Sequence, residues 1–144
     1  EMKATRTRTL RGSIDVVGNT GKTQILVDDG NINRGYKVTD FFIFSFNGKI
    51  PFNANLAFSP QVLASEYMNT GNNAQFAWTW LDGGADAPIQ RIIDPDHVAV
   101  RDMFISIEDV TTDGRFNYMI VVEEYAISDE EAIINIIKEG SQSL

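Results

Sequence analysis

The pattern that most restricts how this chain can fold is a period-two alternation of side chains, repeated in short runs. Gln75–Leu81 (QFAWTWL) sets Phe76, Trp78 and Trp80 on one side of an extended backbone and Ala77, Thr79 and Leu81 on the other. Residues 36–46 form the strongest strand, with Phe42, Phe44 and Phe46 on one face and Phe41, Ile43 and Ser45 on the other. Apolar groups on both faces call for a central strand, or for one whose outer face meets a partner. Further strands fall at 5–17, 23–27, 53–58, 89–93, 98–107 and 115–125, separated by turn residues such as Gly18, Asn19, Gly30, Gly83 and Gly114. Roughly seven to nine short strands with turn signals every ~8–12 residues give an all-β chain: a single β-sandwich or jelly-roll-like domain.

One helix interrupts this pattern, at 128–140. Ser128 and Glu131 fit a capping box, and Asp129 and Glu130 suit the positive end of a helix dipole. Ile133, Ile136 and Ile137 make an apolar stripe, and Gly140 suits the end. A helix this short is unstable alone and must pack on the sheet or on a neighbouring subunit. The organisation expected is one domain: an extended basic arm at 1–11, a β-sandwich core at 12–127 and the amphipathic helix.

The arm is a charge anomaly. Lys3, Arg6, Arg8 and Arg11 stand against Glu1 alone, a net of +3, which leaves −11 on the rest of a chain whose total is −8. Thr5, Thr7 and Thr9 alternate with Arg6 and Arg8, so an extended arm has a threonine edge and an arginine edge. It admits three readings: a frayed terminus, a strand added to a neighbour's sheet edge, or a contact with nucleic acid. The acidic body argues against the last, because nucleic-acid binding draws on a basic surface. Glu123, Glu124, Asp129, Glu130, Glu131 and Glu139 outweigh Lys138 in the stretch 123–139 and offer the arm a complementary target. The expected assembly interface is therefore Thr5, Arg6, Thr7, Arg8 and Arg11 of one subunit against Glu123, Glu124, Glu130, Glu131, Ile133 and Ile137 of another. Strand hydrogen bonds and apolar burial supply most of its affinity, since exposed ion pairs contribute little.

Chemistry-bearing motifs are few. No cysteine occurs, which excludes disulfides and thiolate chemistry. No apolar run approaches the roughly 20 residues of a membrane helix. Gly18-Asn19-Thr20-Gly21-Lys22-Thr23 looks like the end of a phosphate-binding loop, but a β-like TQILV follows where the helix should start, so it reads as a hairpin turn. Asp28, Asp29, Asn31 and Asn33 are oxygen-rich without matching a calcium-loop pattern. His97 is the only histidine and lies near Asp94, Asp96 and Asp102. It reads as a structural hydrogen-bonding residue, with acid–base work as the rival. Glu123 and Glu124 are adjacent in a strand and point to opposite faces. No catalytic residue, cofactor or metal is expected. Phe76, Trp78 and Trp80 are either core or a sugar-stacking platform.

Taken together, KATRTRTLRGSIDV, the GKT turn, DDGNINRGYKVTDF, IDPDHVAVRDMFIS and FNYMIVVEEYAISDEEAIINIIKE resemble small β-rich virion proteins of marine bacteriophages. The resemblance covers nearly the whole chain and carries no active-site residues. It implies a structural protein of the particle, made in the host cytoplasm: a minor capsid, vertex (penton) or decoration component. Its partners would be other capsid subunits, including further copies of itself. The alternative is a carbohydrate- or receptor-binding β-sandwich such as a virion spike.

Overall fold

The computed structural model describes residues 4–26, 33–46, 50–83, 87–99, 102–109 and 114–128, with Glu130, Glu131, Ile133, Ile134 and Ile137 beyond them. Within these the chain is all-β. The strands are β1 (Ala4–Val16), β2 (Thr20–Leu26), β3 (Arg34–Ser45), β4 (Phe52–Ala57), β5 (Gln75–Leu81), β6 (Gln90–Ile93), β7 (Asp102–Asp109) and β8 (Gly114–Ala126). They form two antiparallel sheets, a three-stranded one in the order β1-β8-β3 and a five-stranded one in the order β2-β7-β4-β5-β6.

One core serves both sheets. Ile14, Val16, Val38, Phe41, Ile43, Phe116, Ile120 and Val122 come from the smaller sheet; Phe52, Leu56, Leu81, Met103, Ile105 and Ile107 come from the larger. Truncating a residue such as Phe41, fully buried, costs about 3–5 kcal/mol. A β-bulge lets β3 supply both of its halves to this core. The register shifts between Val38 and Asp40, so Thr39 is the extra residue. The shift turns Tyr36 and Val38 inward along with Phe41 and Ile43, although the two pairs differ in parity.

Several expectations need correction. β3 is not central in its sheet; β8 is, and β3 lies at one side with its Phe42, Phe44 and Phe46 face turned out. No boundary falls at 11/12. β1 runs unbroken through Gly12, where the Tyr118 ring occupies the space a Cβ would fill, 2.7 Å from Tyr118 Oη. Residues 4–11 are the first part of that strand and pair with β8 of the same chain. The GKT tripeptide lies inside β2, and the two-residue turn before it has positive φ at Gly18 (65°) and Asn19 (68°), as a tight hairpin turn demands. The expected C-terminal helix is not delimited among the described elements: Glu130, Glu131, Ile133, Ile134 and Ile137 have helical backbone, and the rest of 129–140 lies outside the described residues. Its capping box is there: the Glu131 N–H donates to Ser128 Oγ at 3.1 Å and the Ser128 N–H to Glu131 Oε1 at 3.4 Å. Residues 28–32, the oxygen-rich turn, also lie outside the described residues.

Candidate functional site

The charged arm meets its acidic target within one chain. Pairing of β1 with β8 sets Arg6 opposite Glu124. Arg6 Nε donates to Glu124 Oε2 at 2.8 Å, and Arg34 Nε lies 3.6 Å from Oε1 of the same carboxylate. Glu124 is 3% exposed, so its charge is held by these two guanidinium groups rather than by water. Arg8 lies over the ring of Tyr36 at 5.9 Å, on the same face of β1. Thr7 faces outward opposite Glu123, which accepts from the Tyr125 hydroxyl at 3.1 Å; Arg11 faces outward opposite Met119. Glu123 and Glu124 thus serve different faces. Thr5 lies in β1, its side chain outside the described set. The inter-subunit pairing of Arg6 with Glu124 is therefore corrected to an intramolecular one: as an edge partner of β8 the arm has the complementary charge already in register. Glu130, Glu131, Ile133 and Ile137 are exposed.

His97 is a strut. It is buried, stacked on Phe76 with centroids 4.3 Å apart, and Phe76 stacks in turn on Phe58 at 4.7 Å. Its Nε2 accepts from the Val38 N–H at 2.9 Å, and its Nδ1 bonds the Asp94 carbonyl. That assigns the proton to Nδ1. Burial lowers the imidazole pKa below its ordinary 6.5, outweighing the Asp94 contacts that raise it. Asp96 is exposed and its N–H caps Asp94 Oδ1, while Asp102 accepts from Gln24 on β2 at 3.1 Å. Among the described residues no three His, Asp or Glu side chains group to hold a metal.

The aromatic face of β5 divides. The register slips between Leu56 and Ala57 on β4, which pair with Ala77 and Gln75, so Phe76 is an extra residue. This bulge directs Phe76 into the core beside His97 and away from the tryptophans. Trp78 and Trp80 remain on the outer face of the five-stranded sheet and line a groove of about 400 Å³ with Asn53, Met68, Thr70 and Ile92. Trp78 is 7% exposed and Trp80 half-buried.

A loop before β5 builds one wall of this groove. Buried Gln75 anchors it: Oε1 accepts from the Asn69 N–H at 3.1 Å and from Trp78 Nε1 at 2.8 Å, and Nε2 donates to the Glu66 carbonyl at 2.6 Å and to Gln61 Oε1 at 3.0 Å. Asn72 Nδ2 donates to the same Gln61 oxygen, and Asn55 Nδ2 reaches across to the Tyr67 carbonyl at 2.8 Å. Tyr67 is fully buried, and that burial raises its phenol pKa. The sequence signal for this loop is its amide-rich run, Gln61, Asn69, Asn72, Asn73 and Gln75, which a period-two pattern does not register.

Comparison with protein-family models, with curated proteins and with solved structures found no match.

Proposed function

We propose that this chain is a non-enzymatic structural component of a virus particle, a minor capsid, vertex or decoration protein with a jelly-roll fold that associates with further copies of itself. The observation that carries the assembly reading is apolar surface left open by a single copy. Phe44 is 48% exposed and Phe46 50%, side by side on the outer face of the three-stranded sheet. Ile133, Ile134 and Ile137 are exposed at 53%, 52% and 63%. Large apolar side chains left open on one face, as Phe44 and Phe46 are, support the reading of that face as an interaction site. Guanidinium groups flank the phenylalanine row, with Arg91 over Phe42 at 4.4 Å and Arg115 over Phe46 at 5.2 Å. The exposed isoleucines follow directly on Glu130 and Glu131, so charge complementarity favours a second copy's isoleucine segment as the cover.

The jelly-roll reading rests on nested pairing. In a hairpin of eight strands rolled into two layers, first pairs with last, second with seventh, third with sixth and fourth with fifth. Here β1 pairs β8, β2 pairs β7 and β4 pairs β5. For the remaining pair, the chain just after β6 reaches β3 through the Tyr36–Ala99 bridge, with N–H to O distances of 2.8 and 2.9 Å, and through His97 to Val38. Such folds serve both capsids and lectins, so fold alone does not choose the function.

The test is the native mass of the purified chain by light scattering and sedimentation over a wide concentration range. A multimer that Phe44→Asp or Ile137→Asp converts to folded monomer supports the proposal. A wild-type chain monomeric up to its solubility limit overturns it.

A further inference from the structure

We propose that the outer face of the five-stranded sheet, around Trp80, is a binding site for a neutral saccharide. The site is independent of the assembly surface and uses the opposite sheet. Cross-strand register lines up one side chain from each strand in a single row: Thr20, Glu108, Asn53, Trp80 and Gln90. The row therefore presents a hydroxyl, a carboxylate, an amide, an indole and a second amide, with Trp80 between the two amides. Four of the five are partly exposed and Gln90 is exposed.

Sugars ask for this combination. A pyranose ring offers an apolar face of C–H groups, which an indole plane covers, and a rim of hydroxyls that each both donate and accept. Amides answer with one donor and one acceptor, and a carboxylate accepts twice. Asn53 is oriented in advance, because its Nδ2 donates to Glu108 Oε1 at 3.2 Å. The walls are set as well: Met68 and Thr70 come from the loop that Gln75 anchors, and Ile92 comes from β6. At about 400 Å³ the groove lies within the usual range of small-molecule sites, roughly 300–1,000 Å³, and admits one or two sugar rings.

The same chemistry disfavours other occupants. No lysine or arginine is among the described residues lining the groove, and Glu108 beside Asn53 would repel a phosphate or sulfate. An apolar peptide would take the Asn53 amide, the Glu108 carboxylate and the Thr70 hydroxyl out of water without offering them hydrogen bonds of its own.

The experiment titrates the intact chain with methyl glycosides of glucose, galactose, mannose and N-acetylglucosamine and with their short oligomers, up to high millimolar concentration. Binding is followed by tryptophan emission and by saturation transfer from protein to sugar protons. The expected result is saturable binding of at least one sugar, with the strongest transfer to C–H protons of one ring face. Trp80→Ala should weaken it roughly five- to tenfold at unchanged melting temperature, and Trp80→Phe should restore part of the loss. If Trp80→Ala fails to fold, Gln90→Ala at the exposed end of the row replaces it, with a weakening of roughly threefold or more expected. A panel in which no sugar binds overturns the proposal. So does binding that neither variant changes, or a groove that takes up an apolar peptide which the sugars do not displace.

Discussion

The two sheets treat their outer faces in opposite ways, though both faces carry aromatic side chains at alternate positions. On the five-stranded sheet the chain covers its own surface. The loop before β5 folds back over Asn55 and Trp78, and polar side chains fasten it there. On the three-stranded sheet Phe44 and Phe46 stay open, with the Arg115 guanidinium over the Phe46 ring. The difference shows what determines whether an aromatic row becomes core, site or interface. It is not the row itself but whether a buried polar anchor nearby holds a cover in place. Gln75 and His97 are such anchors; the phenylalanine face has none among the described residues.

Removing an anchor should break the contrast, and His97 should have the largest effect. His97→Ala discards the stack on Phe76 and leaves the Val38 N–H buried without its acceptor. A loss of about 3–4 kcal/mol in denaturant unfolding is expected. The sign of the pH dependence follows from the same geometry. The folded state lowers the imidazole pKa below 6.5, so the unfolded chain binds the proton more readily. The stabilisation is complete above about pH 6.5 and is lost as pH falls toward the lowered folded value. His97→Gln, which cannot titrate, should flatten that part of the stability profile measured between about pH 5 and 7. An unchanged slope would mean that the histidine is not held neutral.

Gln75→Ala comes next. It removes four hydrogen bonds that hold the loop, and about 2–3 kcal/mol should go with them. Because the loop shields Trp78, tryptophan emission should shift to the red and the five-stranded face should come to resemble the bare one. Retained emission and protection from proteolysis at 61–74 would show that the cover is held by apolar packing instead.

Arg6→Ala should cost less, about 1–2 kcal/mol in the same unfolding experiment. The guanidinium is more than half exposed, with 57% side-chain accessibility, and Arg34 stays to offset part of the Glu124 charge. Deleting residues 1–11 is harsher, because it takes most of the edge strand from β8 and tests folding rather than assembly.

These anchors also explain how much was legible beforehand. The strands were visible because alternation reports directly on which face is buried, and β5 appeared at its observed bounds. What alternation could not show was the two bulges that set the core and the groove, in β3 and β5. Each inserts one residue and reverses the inward parity: Thr39 turns Tyr36 and Val38 inward, and Phe76 leaves the tryptophan row. Charge complementarity between Arg6 and Glu124 was legible too, but composition does not say whether two segments meet within a chain or across chains. Only strand order decides that. The groove was half visible, in Trp78 and Trp80. Its polar partners are contributed one per strand from residues up to 88 positions apart, between Thr20 and Glu108, so no local window contains them.

The smallest stability effect should accompany the most informative substitution. Phe44→Asp replaces a half-exposed ring on an open face, so the monomer's unfolding free energy should move by about 1 kcal/mol or less. Association should respond far more, because a carboxylate in the middle of the phenylalanine row would be desolvated by any apolar cover. It would also draw the Arg91 and Arg115 guanidiniums away from their rings. A protein that stays folded but loses its multimeric state separates the two faces cleanly: one finished by its own chain, the other by a neighbour. If instead the mass is unchanged and stability falls by several kcal/mol, the phenylalanine row belongs to the fold, and the contrast between the faces is one of degree.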